Sequence, residues 1–160
     1  MVLYTIGYEG LTAPAFAACL QQQGVQTLVD VRESPFSRKP GFSGASMATW
    51  LGEAGVHYQP MSELGCPRPI RMRYREDGDW GRYTRDFCSW LASQHEPLAA
   101  LARIAQASPS VLLCYEADPQ MCHRSMVADA IQQRYGLAVT HLTPQQKRSA
   151  AEAPRQASLF

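Results

Sequence analysis

Short apolar runs alternate with longer segments of helical periodicity along most of this chain. Most of the apolar runs end at a glycine, a proline or a charged residue, which is typical of buried strands. The predicted strands are residues 2–6, 27–31, 56–59, 111–115 and 138–142. The predicted helices are residues 12–23, 46–54, 79–93, 97–107 and 120–135, and residues 62–78 are predicted as a long loop.

This alternation predicts the fold class. Strands separated by helices favour a single three-layer α/β/α domain with a mostly parallel, Rossmann-like sheet of about five strands. The domain is expected to span residues 1–142, and a chain of 160 residues is long enough to bury its own core. Residues 143–160 are polar, contain proline and lack apolar periodicity, which predicts a flexible tail.

Composition and charge narrow the class of protein. The net charge is +1, so attraction to nucleic acid or to a membrane has to come from a local patch. No apolar run approaches the roughly 20 residues that span a bilayer, and no signal peptide pattern is visible. Five cysteines without paired spacing indicate a reducing compartment. We therefore expect a cytoplasmic protein without a membrane partner, in which Cys19 and Cys88 are core residues.

The segment from residue 111 to residue 125 carries the strongest chemical signal. An apolar strand runs into a loop that holds Cys114, Glu116, Cys122 and His123, with Arg124 at the start of the next helix. In open α/β sheets, ligands bind where the strands end and helices begin. This segment is therefore predicted to form an active or binding site.

Three chemistries fit this site. In the first, Cys114 or Cys122 is a nucleophile whose pKa is lowered by His123, by Arg124 or by the helix N-terminus. The strand, loop and helix layout, with an Arg-Ser pair opening the helix, resembles rhodanese-like domains in part, as do residues 28–32.

In the second chemistry, the two thiols and His123 bind a metal together with Cys66. Structural zinc sites favour cysteines two to four residues apart, so no metal and no cofactor is predicted. In the third, Glu116, Asp118 and His123 move protons on a bound nucleoside or base while Arg124 holds a phosphate, and the cysteines only shape the pocket.

Other strand ends add candidates for ligand binding. The glycines around Tyr8 permit close backbone approach. Asp30 and Arg32 form either an ion pair that fixes their loop or a direct ligand contact, and both interpretations stay open. The predicted substrate- or phosphate-binding residues are Gly7, Tyr8, Asp30, Arg32, Ser37, Arg38 and Arg124.

The segment 62–78 contains the densest positive charge. Arginine suits bidentate phosphate contacts and stacking on bases, although the acidic Glu76 and Asp77 lie alongside. A nucleic-acid patch is predicted from Arg68, Arg71, Arg73, Tyr74 and Arg75.

The end of the chain predicts a protein partner. Gln156, Leu159 and Phe160 resemble the short peptide with which bacterial proteins bind the DNA polymerase sliding clamp. A flexible tail would set the reach of such a peptide, and the Leu-Phe pair would supply buried apolar area.

Four ordered motifs, at residues 4–10, 28–38, 64–69 and 114–124, resemble the domain-of-unknown-function 488 family. The resemblance spans residues 1–142 and implies an enzymatic role. This chain has Gly65-Cys66 where many members have two glycines, so no general role of Cys66 is implied. The positions that match the family's pattern are Gly7, Asp30, Arg32, Pro35, Ser37, Leu64, Gly65, Cys114, Glu116, Cys122, His123 and Arg124.

The leading hypothesis is an enzyme that acts on DNA, another nucleic acid or a nucleotide, in DNA repair or maintenance, and that the tail recruits to the clamp. One alternative is a rhodanese-like sulfur or small-molecule transferase with a reactive cysteine. The other is a noncatalytic adaptor associated with the clamp. The sequence leaves substrate, reaction type and oligomeric state open.

Overall fold

The computed structural model describes residues 1–144, which form one five-stranded sheet with helices on both faces. The strands are β1 Val2–Gly7, β2 Thr27–Asp30, β3 His57–Pro60, β4 Ser110–Cys114 and β5 Ala138–His141. The helices are α1 Ala13–Gln22, α2 Gly44–Glu53, α3 Arg68–Asp77, α4 Trp80–Ala92, α5 His95–Ala107 and α6 His123–Tyr135. Two short 3-10 helices cover Ser62–Leu64 and Pro119–Met121.

The strand order is β3-β2-β4-β1-β5, and every strand pair in this sheet is parallel. This confirms the predicted α/β fold with its parallel sheet. All five residues of β4 are buried, because the strand lies in the middle of the sheet between two helical layers. Its last residue, Cys114, pairs in register with Gly7 at the end of β1.

The two helical layers create a crevice at the end of β4. Helices α1 and α2 pack on one face around Phe16 and Leu51, whereas α4, α5 and α6 pack on the other around Phe87, Leu101 and Val127. The chain leaves β1 and β2 toward the first layer but leaves β4 toward the second. The loops therefore part on both sides of β4, which is where ligands bind in open α/β sheets.

The prediction of a long loop at residues 62–78 is wrong, because most of this segment is helical. It contains one 3-10 helix and the ten-residue helix α3, whose first turn includes Pro69. Proline suits that position, because the first turn has no partner for its backbone N–H. Only Ile70 and Tyr74 of α3 pack against the core, and they lie one turn apart. Two apolar residues are too few to reveal a helical periodicity in the sequence.

Two further expectations are corrected. The helix predicted from residue 120 begins at His123, after a 3-10 turn, with Cys122 as its N-cap. Cys88 is exposed, so it is not the core residue predicted from its helix face, and Cys19 is only partly buried.

None of the described helices is long and apolar enough to cross a membrane. The clamp peptide, Gln156, Leu159 and Phe160, lies outside the described residues, so its binding stays a prediction.

Gly7 marks the closest backbone crossing near the crevice. A Cβ atom placed there would lie 1.7 Å from the carbonyl oxygen of Glu116, in the loop that follows β4. The same crossing is held by backbone hydrogen bonds from Tyr8 to Cys114 and from Glu9 to Tyr115. Glycine is required at this position because any side chain would push the loop away from β1.

We expect Gly7→Ala to lower the free energy of unfolding by about 1–3 kcal/mol, the usual cost of overpacking. Gly52→Ala is the matched control, since a Cβ atom there meets nothing within 4 Å and the residue lies inside α2. That control should gain about 0.5–1 kcal/mol from helix propensity. Urea unfolding of both variants measures the difference, and equal stability of the two would contradict the role assigned to Gly7.

Candidate functional site

The crevice at the end of β4 holds a cavity of about 560 Å³. Its lining comes from the loops after β1, β2 and β4, from Cys66 ahead of α3, and from helices α3 and α4. Phe36, Tyr115 and Met121 are exposed large apolar side chains at its edge. Its volume falls in the range of about 300–1,000 Å³ typical of small-molecule sites.

Two thiols and an imidazole line this cavity together. Cys114 ends β4, Cys122 caps α6 and His123 is the first residue of α6. The two Sγ atoms and Nδ1 of His123 all lie within 4.8 Å of one another. The distance from Nδ1 is 3.6 Å to Sγ of Cys114 and 4.0 Å to Sγ of Cys122. The structure thus brings three of the four predicted catalytic residues together.

The imidazole of His123 has a fixed orientation. Its Nε2 lies 2.8 Å from the carbonyl oxygen of Val31, just after β2. A carbonyl oxygen only accepts hydrogen bonds, so Nε2 carries a proton. Nδ1, which faces the thiols, is therefore bare in the neutral ring and protonated in the imidazolium. The ring of Phe87 packs edge-on at 5.4 Å between centroids and completes the burial of the imidazole.

The proton affinities of the two thiols differ. Burial opposes ionisation of Cys122, but hydrogen bonds with Cys114 and His123 outweigh it and hold the pKa of Cys122 well below its usual value. The pKa of Cys114 is raised, because it donates to the sulfur of Cys122 and is itself buried. Burial works against the imidazolium, yet the hydrogen bond with Cys122 raises the pKa of His123. Both shifts favour negative charge on Cys122 and positive charge on His123.

Glu116, the fourth predicted catalytic residue, lies next to this pair. Sγ of Cys114 lies 3.7 Å from Oε1 of Glu116, which is a second possible acceptor for the single thiol proton. Burial, followed by the negative charge of Cys122, raises the pKa of Glu116 to about 7. A carboxyl group with that pKa exchanges its proton readily near neutral pH, which is the property of a general acid or base.

Cys66 contributes a third thiol to the cavity lining, although the family resemblance implied no general role for this residue. It is buried, and its pKa is raised by that burial. Its position depends on Gly65, because a Cβ atom there would lie 2.3 Å from the backbone nitrogen of Glu33. The hydroxyl of Tyr83 shares a hydrogen bond with Cys66, and burial followed by that bond raises the pKa of Tyr83.

Asp30 and Arg32 form a buried ion pair, which is the first of the two interpretations left open above. Oδ1 of Asp30 accepts from Nε of Arg32 at 2.8 Å, and Oδ2 accepts from NH2 at 2.6 Å. The remaining nitrogen, NH1, donates to the carbonyl oxygen of Phe42 at 2.8 Å, and Tyr58 donates to Asp30. Arg32 reaches the cavity wall, but its donors are engaged in fixing the loop after β2.

Arg124 supports the loop after β4. Its side chain is fully buried, and it donates from NH1 to the carbonyl oxygen of Glu116 at 2.5 Å and from NH2 to that of Ala117 at 3.4 Å. Arg124 therefore holds the loop that crosses Gly7, and it is absent from the cavity lining.

Of Tyr8, Ser37 and Arg38, which were also predicted to bind substrate or phosphate, only Tyr8 lines the cavity. Tyr8 lines the cavity and stacks on Phe42, with 4.7 Å between ring centroids. Ser37 is used inside its own turn, where its backbone N–H donates to Ser43 and its hydroxyl accepts from Lys39. Ser37 and the exposed Arg38 are not part of the cavity lining.

The predicted nucleic-acid patch lies on α3, and only part of it faces the cavity. Arg71, Tyr74 and Arg75 line the cavity, whereas Arg68 and Arg73 do not. Arg71 is paired with Glu33 at 2.8 Å and donates to the carbonyl oxygen of Cys66. Arg75 is exposed and forms no ion pair within residues 1–144, so it is available to an anion.

Several lining residues were missed as site residues. Trp80 and Tyr83 stack at 4.7 Å between ring centroids on α4, and Tyr74 packs against both rings. Their spacing along α4 is that of ordinary core residues, so the sequence alone does not separate a cavity wall from a core. One feature of the sequence could have identified them as site residues: both follow the arginine-rich segment by one or two helical turns.

The donor atoms of Cys114, Cys122 and His123 could also hold a metal ion such as zinc, since all three lie within 4.8 Å. Metal-binding histidines often donate their other ring N–H to a carbonyl, as Nε2 does here to Val31. The same ring orientation also suits catalysis without a metal, because it points Nδ1 at the thiols, where it can act as a general base.

The family model of the domain of unknown function DUF488 matches residues 12–131. Because that match covers more than half of the chain, this protein belongs to the DUF488 family, as its four motifs predicted. Neither the curated proteins nor the solved structures contain a significant match to this chain.

The buried ion pair generates a prediction about stability. Arg32→Met leaves the carboxylate of Asp30 buried without its charged partner, so we expect a loss of about 3–5 kcal/mol in the free energy of unfolding. The control is Arg73→Met, because Arg73 has a 59% exposed side chain and pairs with Asp86 at 3.8 Å. An exposed pair contributes about 0–1 kcal/mol, so chemical denaturation of the two variants should separate them. A loss below 1 kcal/mol for Arg32→Met would return Arg32 to the candidates for ligand binding.

Proposed function

We propose that this protein is a cysteine-dependent enzyme that acts on a nucleotide or on nucleic acid, with Cys122 as its nucleophile. The observation that carries the proposal is the placement of the Cys122 thiol. It lies at the start of α6, 4.0 Å from an imidazole nitrogen whose ring is fixed from the other side by Val31.

Three features favour the thiolate form of Cys122. The N-terminus of the 13-residue helix α6 presents free backbone N–H groups and positive partial charge. His123 accepts the thiol proton and then stays beside the sulfur as a cation. The guanidinium of Arg124 adds positive charge on the same side. Together these features match an activated nucleophile with its base held by a third group.

Glu116 supplies the proton that a leaving group needs. In the first step, the sulfur of Cys122 forms a bond to the electrophilic atom of the substrate, and the bond from that atom to the leaving group breaks. The leaving group takes the bonding electron pair together with the proton of Glu116. In the second step, the Glu116 carboxylate removes a proton from the incoming water or acceptor, which displaces Cys122.

The cavity wall supports a substrate with both an anionic part and a flat aromatic part. Arg75 and Arg71 offer guanidinium groups to a phosphate, and Phe36 and Tyr115 expose rings on which a base can stack. A nucleotide has both parts. Arg68, exposed farther out on α3, would extend the contacts along a nucleic-acid backbone. A role in DNA repair or maintenance in the cytoplasm, with delivery to the sliding clamp by the tail, belongs to the same proposal.

A second candidate is a rhodanese-like sulfur or small-molecule transferase, which would use the same nucleophile on a different substrate. It is favoured by the position of a thiol-containing loop at the end of the central strand, β4. The two candidates differ in whether the arginine-rich wall of the cavity binds nucleotides.

The lowered pKa of Cys122 generates a prediction about reactivity. At pH 6.5 an ordinary thiol with a pKa of about 8.5 is only about 1% ionised. We expect iodoacetamide to modify Cys122 about ten times faster than Cys88 at that pH, although Cys88 is the exposed thiol. Burial, with the charge of Asp129, raises the pKa of Cys88, which makes it a slow reference within the same molecule. Peptide mapping after timed quenching gives both rates.

His123→Gln is the variant for the same experiment, because its amide N–H still reaches toward Val31 while the base is lost. The modification rate of Cys122 should fall by about tenfold at pH 6.5 and recover as the pH rises above 9. If wild-type Cys122 reacts more slowly than Cys88 throughout this pH range, Cys122 is not an activated nucleophile.

Substrate class is tested by binding. We expect wild-type protein to bind a nucleoside monophosphate or a short single strand of DNA, with an affinity that falls as salt increases. Arg75→Ala should weaken binding by about tenfold, the effect of losing one charged hydrogen bond. Arg103→Ala removes the same charge from an exposed position outside the cavity and should leave binding unchanged. Equal effects of the two variants would speak against a phosphate site, and no binding at low salt favours the sulfur transferase.

A further inference from the structure

The proposed mechanism uses Cys122, His123 and Glu116 and gives Cys114 no role. Yet Cys114 lies in the same cavity, and its sulfur is closer to Nδ1 of His123 than that of Cys122 is, at 3.6 Å against 4.0 Å. A thiol in that position can lose its proton to the imidazole whenever Cys122 is no longer an anion.

The two sulfur atoms lie within reach of each other. They are at most 4.8 Å apart, one at the end of β4 and the other at the start of α6. Both side chains are buried, with 6% of Cys114 and 2% of Cys122 exposed. A large protein cannot reach either sulfur, so a reagent that reaches them has to fit the cavity.

We infer that Cys114 and Cys122 exchange reversibly between a dithiol and a disulfide, by reaction with a small disulfide that enters the cavity. The inference rests on the activated Cys122 of the proposed function and adds a second reactive group to that site.

The exchange has two steps, and both conserve electrons. First, the Cys122 thiolate attacks one sulfur of the small disulfide, whose S–S bond breaks, and the released thiolate takes the Nδ1 proton of the His123 imidazolium. Next, Cys114 passes its proton to the neutral imidazole and attacks the sulfur of Cys122, and the second small thiolate leaves with that proton. The protein loses two electrons and two protons, and the small disulfide gains them.

The cavity indicates the kind of disulfide that fits. Its volume of about 560 Å³ suits a peptide-sized molecule, and Arg71 and Arg75 at its wall suit carboxylate groups. A low-molecular-weight disulfide with several carboxylates is therefore the expected class. Oxidised glutathione has this chemistry and serves as the probe.

The test treats the reduced full-length protein with oxidised glutathione at neutral pH and maps the products by mass spectrometry. We expect the wild type to lose two thiols, to yield a peptide pair linked through Cys114 and Cys122, and to retain no glutathione. Cys114→Ser should instead retain one glutathione on Cys122, because nothing displaces it. Cys88→Ser removes an exposed thiol outside the cavity lining, so it is the control and should give the wild-type link between Cys114 and Cys122.

Three results would overturn the inference: glutathione retained on Cys122 of the wild type, a link between Cys66 and Cys122, or no loss of thiols. The wild-type peptide map needs no variant, so a misfolded variant does not obscure it. Failure is also separable from failure of the proposed function. Rapid iodoacetamide modification of Cys122 without a Cys114–Cys122 link would remove the exchange and leave the nucleophile in place.

Discussion

The hydrogen bond from Nε2 of His123 to the carbonyl oxygen of Val31 is the contact on which the site depends. It joins the start of α6 to the end of β2 across the central strand, and it sets which imidazole nitrogen faces the thiols. The Val31 carbonyl is itself held, because the N–H of Val31 donates to Leu113 of β4, and the Asp30–Arg32 ion pair closes the turn that follows. A chain of contacts thus connects the proton-accepting nitrogen of His123 to the β2–β4 pairing and to the buried ion pair.

The loop after β4 is positioned by different contacts. Its backbone crosses Gly7 at a distance that excludes a Cβ atom, and the buried guanidinium of Arg124 holds the carbonyls of Glu116 and Ala117. The Nε atom of Arg124 has no hydrogen-bond partner among the described residues, so burial of this side chain is costly. The same guanidinium also favours the anionic form of Cys122, since its positive charge lowers the pKa of that thiol.

The sequence predicted the sheet, its parallel strands and the edge at which the site lies, since these follow from apolar runs and from the length of the connections. It did not predict α3, where only Ile70 and Tyr74 reveal the buried side of a strongly charged helix. It also could not separate arginines that face the cavity without an ion-pair partner from arginines that hold loops. Arg32 and Arg75 look alike in the sequence, and only burial and the presence of Asp30 distinguish them. Cys66 and Tyr83 reach the cavity through tertiary packing, which no local pattern encodes.

Two thiols in one buried site impose an electrostatic constraint. A buried anion is costly unless an opposite charge accompanies it, and His123 can supply only one positive charge at the sulfur atoms. The first thiolate therefore raises the pKa of the second thiol, and the two groups differ in protonation although both face the same imidazole. Hydrogen bonds with Cys114 and His123, together with the charges of His123 and Arg124, lower the pKa of Cys122. The hydrogen bond to Cys122 and burial raise the pKa of Cys114. The two thiols thus differ in proton affinity because of the side chains that surround each sulfur atom.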